Sequence, residues 1–133
     1  YCQERQLLSQ PAFVTFHGQL HKQRVNELLL NADIGLVTNK PETLVACPYK
    51  AAEYAAAGLP ILSCLGGEPG QLLRKYNAGS EYKEGDAESL HAAFEQYFDL
   101  ILLKQQSFGA QKLAAHLFDR KKSYQALLEF ILH

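Results

Sequence analysis

Hydrophobic and polar positions change period several times along this chain. Residues 13–17, FVTFH, are β-branched and aromatic and stop at Gly18, which predicts a strand closed by a tight turn. Val25, Leu28, Leu29 and Ala32 then recur at helical spacing, predicting an amphipathic helix over 21–32. DIGLVT, 33–38, is a second apolar strand, and PILSC, 60–64, a third. Between them a loop over 39–47 leads to a helix over 48–57, with Pro48 suited to the first helical position and Gly58 to the stop. LGGEPG, 65–70, is a glycine-rich turn into a short helix ending near Tyr76, and a weaker strand follows Gly79 near 80–83.

Beyond residue 85 the period is helical throughout. Asp86 is a good N-cap for 87–98, where Leu90, Ala93, Phe94 and Tyr97 share a face. A second helix covers about 100–117, weakened at Gly109, and a third, 120–132, places Tyr124, Leu127, Leu128 and Ile131 on one side. The alternation over 1–85 predicts βαβ units and a parallel sheet, so the fold class is α/β: a Rossmann-like parallel sheet with flanking helices and a helical tail over 86–133. The whole of 1–133 reads as one domain. In such sheets ligands bind beyond the carboxyl ends of the strands. Three loops fall at that edge: 18–21, 38–47 and 65–70. Each leads into a helix N-terminus, whose free N–H groups and positive dipole suit phosphate.

Composition narrows the function. Hydrophobic residues make up 47% and charged residues 20% of 133, with a net charge of −1. That suits a globular core and offers no basic face for nucleic acid. No apolar run approaches the roughly 18 residues of a membrane span. Cys2, Cys47 and Cys64 lack C-x-x-C spacing and read as reduced thiols of a cytoplasmic protein. His17 and His21 flank a strand end rather than share a helix face, so no metal and no cofactor is expected. The chain contains no methionine and opens inside YCQERQLLSQPAF, which reads as a piece of a longer protein.

The candidate chemistry lies in CPYKAAEYAAAGLPILSC, 47–64. Lys50 falls in the first turn of its helix, where a cation opposes the dipole unless an anion lies between. Glu53, one turn on, shares its face. A diphosphate over the helix end would meet Lys50, and a sugar's hydroxyl pair could donate to both oxygens of Glu53. The plain alternative is an i, i+3 ion pair on a surface. Alanines, likewise, let a helix approach a sheet without any ligand.

PYKAAEYAAAGLPIL, 48–62, resembles the P-x-K-x-x-E-Y-x-A-x-G-x-P-V-I segment of group 1 glycosyltransferases with the GT-B fold. VTFHGQL, LLLNADIGLVTN and the stretch from LSCLGGEPG to FEQYF are similar to the family's flanking segments in order and spacing, so the resemblance covers roughly 12–133. It implies the C-terminal, donor-binding domain of an enzyme that binds a nucleotide-sugar donor. Glu53 would hold the ribose hydroxyls, Gly18 and its neighbours the base, and the backbone of Thr43, Leu44 and Val45 the donor's phosphate and sugar. The first glutamate of the family's E-x7-E pattern falls at Val45, and Glu42 stands three residues too early to replace it. The catalytic residues stay unknown.

The family's first two strands of this domain and its whole N-terminal acceptor domain have no counterpart here. The isolated chain is therefore expected to transfer no sugar. In the family order, 3-2-1-4-5-6, one absent strand would lie between 13–17 and 33–38. Those two must then pair directly, or an exposed edge invites self-association. Two other functions stay open: a non-catalytic nucleotide- or phosphate-binding module, and a nucleotide-sugar hydrolase or epimerase of similar fold. For the full-length protein, a cytoplasmic place at the inner membrane face, with peripheral membrane association, completes the expected partners.

Overall fold

A computed structural model describes residues 13–38 and 49–117 and, beyond them, 125, 129 and 131. Its centre is a three-stranded parallel sheet of β1 (Gly35–Val37), β2 (Ile61–Ser63) and β3 (Gly79–Glu81), in that spatial order. Helix α1 (Lys22–Leu30) precedes β1, α2 (Tyr49–Ala56) joins β1 to β2, and α3 (Gly67–Tyr76) joins β2 to β3. After β3 come α4 (Ala87–Glu95), a 3-10 turn over Gln96–Phe98 and α5 (Leu100–Leu117). Parallel neighbours joined by single helices are the βαβ units that the alternating pattern requires.

The period of two in β2 divides the core. Ile61, with Val37 of β1, faces α2, α3 and α5, in a cluster with Ala55, Leu73, Ala78, Ala110 and Leu113. Leu62 faces the other way, onto Ala93 and Tyr97. Both faces of β2 are covered, which is why PILSC reads as a continuous apolar run rather than an alternating one. Ala51 and Ala55 put the alanine face of α2 on the sheet. The approach is close: a Cβ on Gly35 would run into the Tyr54 ring.

Helix α5 passes beneath the amino ends of the strands. Ser107 Oγ donates to the Gly58 carbonyl, 2.7 Å, just before β2. Gly109 lies against the Tyr76 and Asn77 carbonyls, just before β3. Helix α5 thus packs against the amino edge of the sheet. Gly109, expected to weaken this helix, is the point of contact that seats it.

Residues 13–17 form no strand, contrary to their β-branched and aromatic pattern. Phe13 is 90% and Phe16 50% exposed. A strand exists only through its ladder partner, and among the described residues none pairs with this stretch. The direct pairing of 13–17 with 33–38 does not form either. Gly35 N–H donates to Pro60 and Cys64 N–H to Val37 O, so in a parallel ladder the backbone groups of Leu36 face away from β2. The Tyr54 hydroxyl donates to that Leu36 carbonyl at 3.4 Å. A three-residue edge with its outward carbonyl occupied offers little ladder for another chain.

Strands β1 and β2 and helices α1 and α2 are shorter than the sequence predicts, α5 at Leu100–Leu117 has the expected bounds, and the weak fourth strand is β3 at Gly79–Glu81. The helix over 87–98 tightens into the 3-10 turn at Gln96. Helix α3 starts at Gly67, inside the expected turn, because Pro69 in its first turn lacks only an N–H that no helix start can pair. The expected helix 120–132 lies outside the described range except for three positions.

Asp86 caps α4: its carboxylate accepts from Ser89 N–H at 2.9 Å, and Ser89 Oγ accepts from Lys83 N–H at 2.8 Å. Asp86→Ala should lower the unfolding free energy by about 1 kcal/mol, read as a lower urea midpoint at unchanged slope.

Candidate functional site

The carboxyl edge is framed by the residues that follow each strand. Ser63 Oγ accepts from Leu65 N–H at 3.1 Å and fixes the turn out of β2. That turn ends on Gly66, the N-cap of α3, and on Gly67, whose φ of +63° is left-handed. Beyond their chain neighbours, neither glycine has an atom within 4 Å of where a Cβ would stand, so the start of α3 is uncrowded there. Glu68 lies in that first turn, an acid where the dipole favours one.

Tyr82 follows β3 and spans the edge. Its N–H donates to Ser63 O at 3.0 Å, and its hydroxyl donates to Val37 O at 3.2 Å. One residue, through its backbone N–H and its hydroxyl, therefore ties the ends of all three strands. Burial first, then the neighbouring Cys64 thiol, pushes the phenol up to about 12, so it stays protonated and keeps donating at neutral pH. Cys64 itself is a free thiol. No local pattern marks Tyr82 for this part, because the contact joins residues 45 apart.

Helix α2 carries Lys50 and Glu53, both exposed. Its first turn contains no acidic residue. The ion pairs among the described residues are Arg24–Glu27, Arg74–Glu81 and His91–Glu95, and neither Lys50 nor Glu53 belongs to one. The i, i+3 surface pair, the plain alternative for these two charges, is not formed. Glu53 instead lines a cleft of about 360 Å³ between α1 and α2, with Lys22, Asn26, Leu29, Leu30, Ala56 and Ala57. Lys50 is not among the lining residues. Tyr54, next to Glu53, has its phenol pushed up by burial and then by the Glu53 charge.

Leu30 and Ala57, at the carboxyl ends of α1 and α2, also line a second hollow together, beside Leu59 and Pro60. The helices therefore run the same way, and Lys22 and Glu53 mark the end of the cleft nearer the carboxyl edge. Gly18 precedes α1 in the left-handed region, φ +64°, exposed and with open space around it. Thr43, Leu44 and Val45 lie outside the described residues. The fold thus gathers Glu53 with Lys22 and Asn26, which no motif marks, and leaves Lys50 at the helix end above them. Among the described residues no three His, Cys, Asp or Glu side chains gather where they could hold a metal ion, and no helix is long and apolar enough to cross a membrane.

No family model, curated protein or solved structure matches this chain.

Proposed function

We propose that this chain is the donor-binding domain of a glycosyltransferase, holding a nucleoside-diphosphate sugar for transfer to an acceptor carried by another domain. The observation that carries it is the state of Glu53. This carboxylate stands on the helix that leaves the open edge of a parallel sheet, lines a cleft, and has no cationic partner among the described residues, while Lys50 sits without an acid in the first turn above it. A ribose in the cleft would donate its two hydroxyls to Glu53. The diphosphate would then lie at the start of α2, where the ammonium and the free N–H groups both attract it.

In transfer, a bond forms between the acceptor oxygen and the sugar's anomeric carbon. The bond from that carbon to the diphosphate oxygen breaks, the diphosphate leaves with the electron pair, and the acceptor hydroxyl's proton passes to the departing diphosphate or to water. Charge develops on the departing oxygen, so Lys50 and the α2 N-terminus would stabilise it, and the cleft would hold the donor in place. The order and spacing of PYKAAEYAAAGLPIL and its flanks support the same assignment through their resemblance to group 1 glycosyltransferases.

Titration calorimetry with UDP, UDP-sugars, uridine and inorganic phosphate tests it. Binding of UDP well above that of phosphate is expected. Lys50→Ala should cut UDP affinity about tenfold and leave uridine nearly unchanged. Equal affinity for UDP and inorganic phosphate would instead indicate a general phosphate-binding module.

A further inference from the structure

The cleft between α1 and α2 holds more polar chemistry than a ribose uses. Lys22 and Asn26 stand one turn apart on α1 and line it together with Glu53 of α2. None of these three side chains takes part in an ion pair or side-chain hydrogen bond among the described residues. The rest of the lining is apolar: Leu29, Leu30, Ala56 and Ala57, with Leu30 73% exposed. Polar groups beside apolar ones suit a small molecule, and about 360 Å³ falls at the lower end of the range for ligand pockets.

We infer that Lys22 and Asn26 read the nucleobase, and that the cleft selects a base bearing a ring carbonyl. This rests on the donor-site proposal above. Lys50 lies at the start of α2 and outside the cleft, so the phosphates are drawn away from it and the nucleoside end enters. Once Glu53 holds the ribose, the base falls to the α1 wall. An ammonium has three donors and no acceptor, so Lys22 needs an acceptor from the ligand. The nucleoside end is uncharged, and its strong acceptors are base carbonyls, such as those of uracil or guanine. Asn26 presents one acceptor and two donors, which match the imide N–H and second carbonyl of uracil. Adenine carries no carbonyl and offers Lys22 only its ring nitrogens as acceptors, so it should bind less well.

The measurement is calorimetry on the 133-residue chain with UDP and ADP, for wild type, Lys22→Ala and Glu53→Gln. Helix α1 buries no residue, so Lys22→Ala should leave the fold intact, as checked by circular dichroism. The wild type should prefer UDP about tenfold. Lys22→Ala should lower UDP affinity about tenfold, leave ADP within twofold and so erase the preference. Glu53→Gln should weaken both nucleotides equally, since both carry ribose. A Lys22→Ala chain that keeps the preference, or loses UDP and ADP alike, overturns the inference and leaves the donor site standing. A wild-type preference for ADP overturns it as well. Failure of the wild type to bind either nucleotide overturns the donor site itself.

Discussion

Gly109→Ala is expected to destabilise the protein by about 2 kcal/mol. Helix propensity alone predicts the opposite sign, a gain of about 1 kcal/mol for alanine over glycine in a helix interior. The tertiary contact reverses it. A methyl at 109 would enter the space of the Tyr76 and Asn77 carbonyls, and stand 2.6 Å from the Asn77 carbonyl carbon. These are backbone atoms at the end of α3, where Asn77 is held left-handed at φ +49° and cannot swing aside like a flexible side chain. Helix α5 would have to lift from the turn. Overpacking of this kind costs about 3 kcal/mol at the upper end of its usual range. The lift would also disturb Ala110 and Leu113, which α5 contributes to the core under Ile61. Urea unfolding would show a lower midpoint. Gln105→Ala, on the exposed side of the same helix, should stay within about 0.5 kcal/mol of wild type. A Gly109→Ala midpoint at or above wild type would falsify the seating of α5 on that turn.

Glu53→Gln is expected to weaken nucleotide binding ten- to a hundredfold. A carboxylate can accept from both ribose hydroxyls with charge assistance, whereas an amide keeps one acceptor oxygen and adds donors that face donors. A hydrogen bond to a charged group contributes about 1.5–3 kcal/mol, and 1.4 kcal/mol is tenfold in affinity. Stability should change little, because Glu53 is exposed and belongs to no ion pair among the described residues. The readout is calorimetry with UDP, beside urea unfolding of the same variant. Unchanged affinity would return Glu53 to the role of a solvated surface charge on a helix facing an empty cleft.

The sheet and its helices were legible wherever a segment's own pattern is satisfied by its neighbours in the chain order. PILSC reads as an apolar strand, and Ile61 and Leu62 are buried on opposite faces. AAEYAAAG reads as a helix packed close and then stopped, and Ala55 is fully buried while Gly58 turns left-handed. Asp86 reads as an N-cap and its carboxylate accepts from Ser89. These features depend on periodicity, small side chains and local backbone chemistry, all of which are local properties. FVTFH was misleading for the complementary reason. Its β-propensity is strong, but a strand is a property of a pair, and among the described residues the pair is absent.

The sequence by itself determined the α/β class, the parallel sheet and the two charges on α2. Only the tertiary structure decided that Glu53 faces α1 rather than Lys50, and that Lys22 and Asn26 share its cleft. Tyr82 likewise reaches Val37 across the strand ends, and Gly109 touches the turn before β3, only once the chain is folded. The physical reason is common to all four. Each relation joins residues far apart in the chain, set by how helices rest on a sheet, and no period of two or 3.6 residues carries that information.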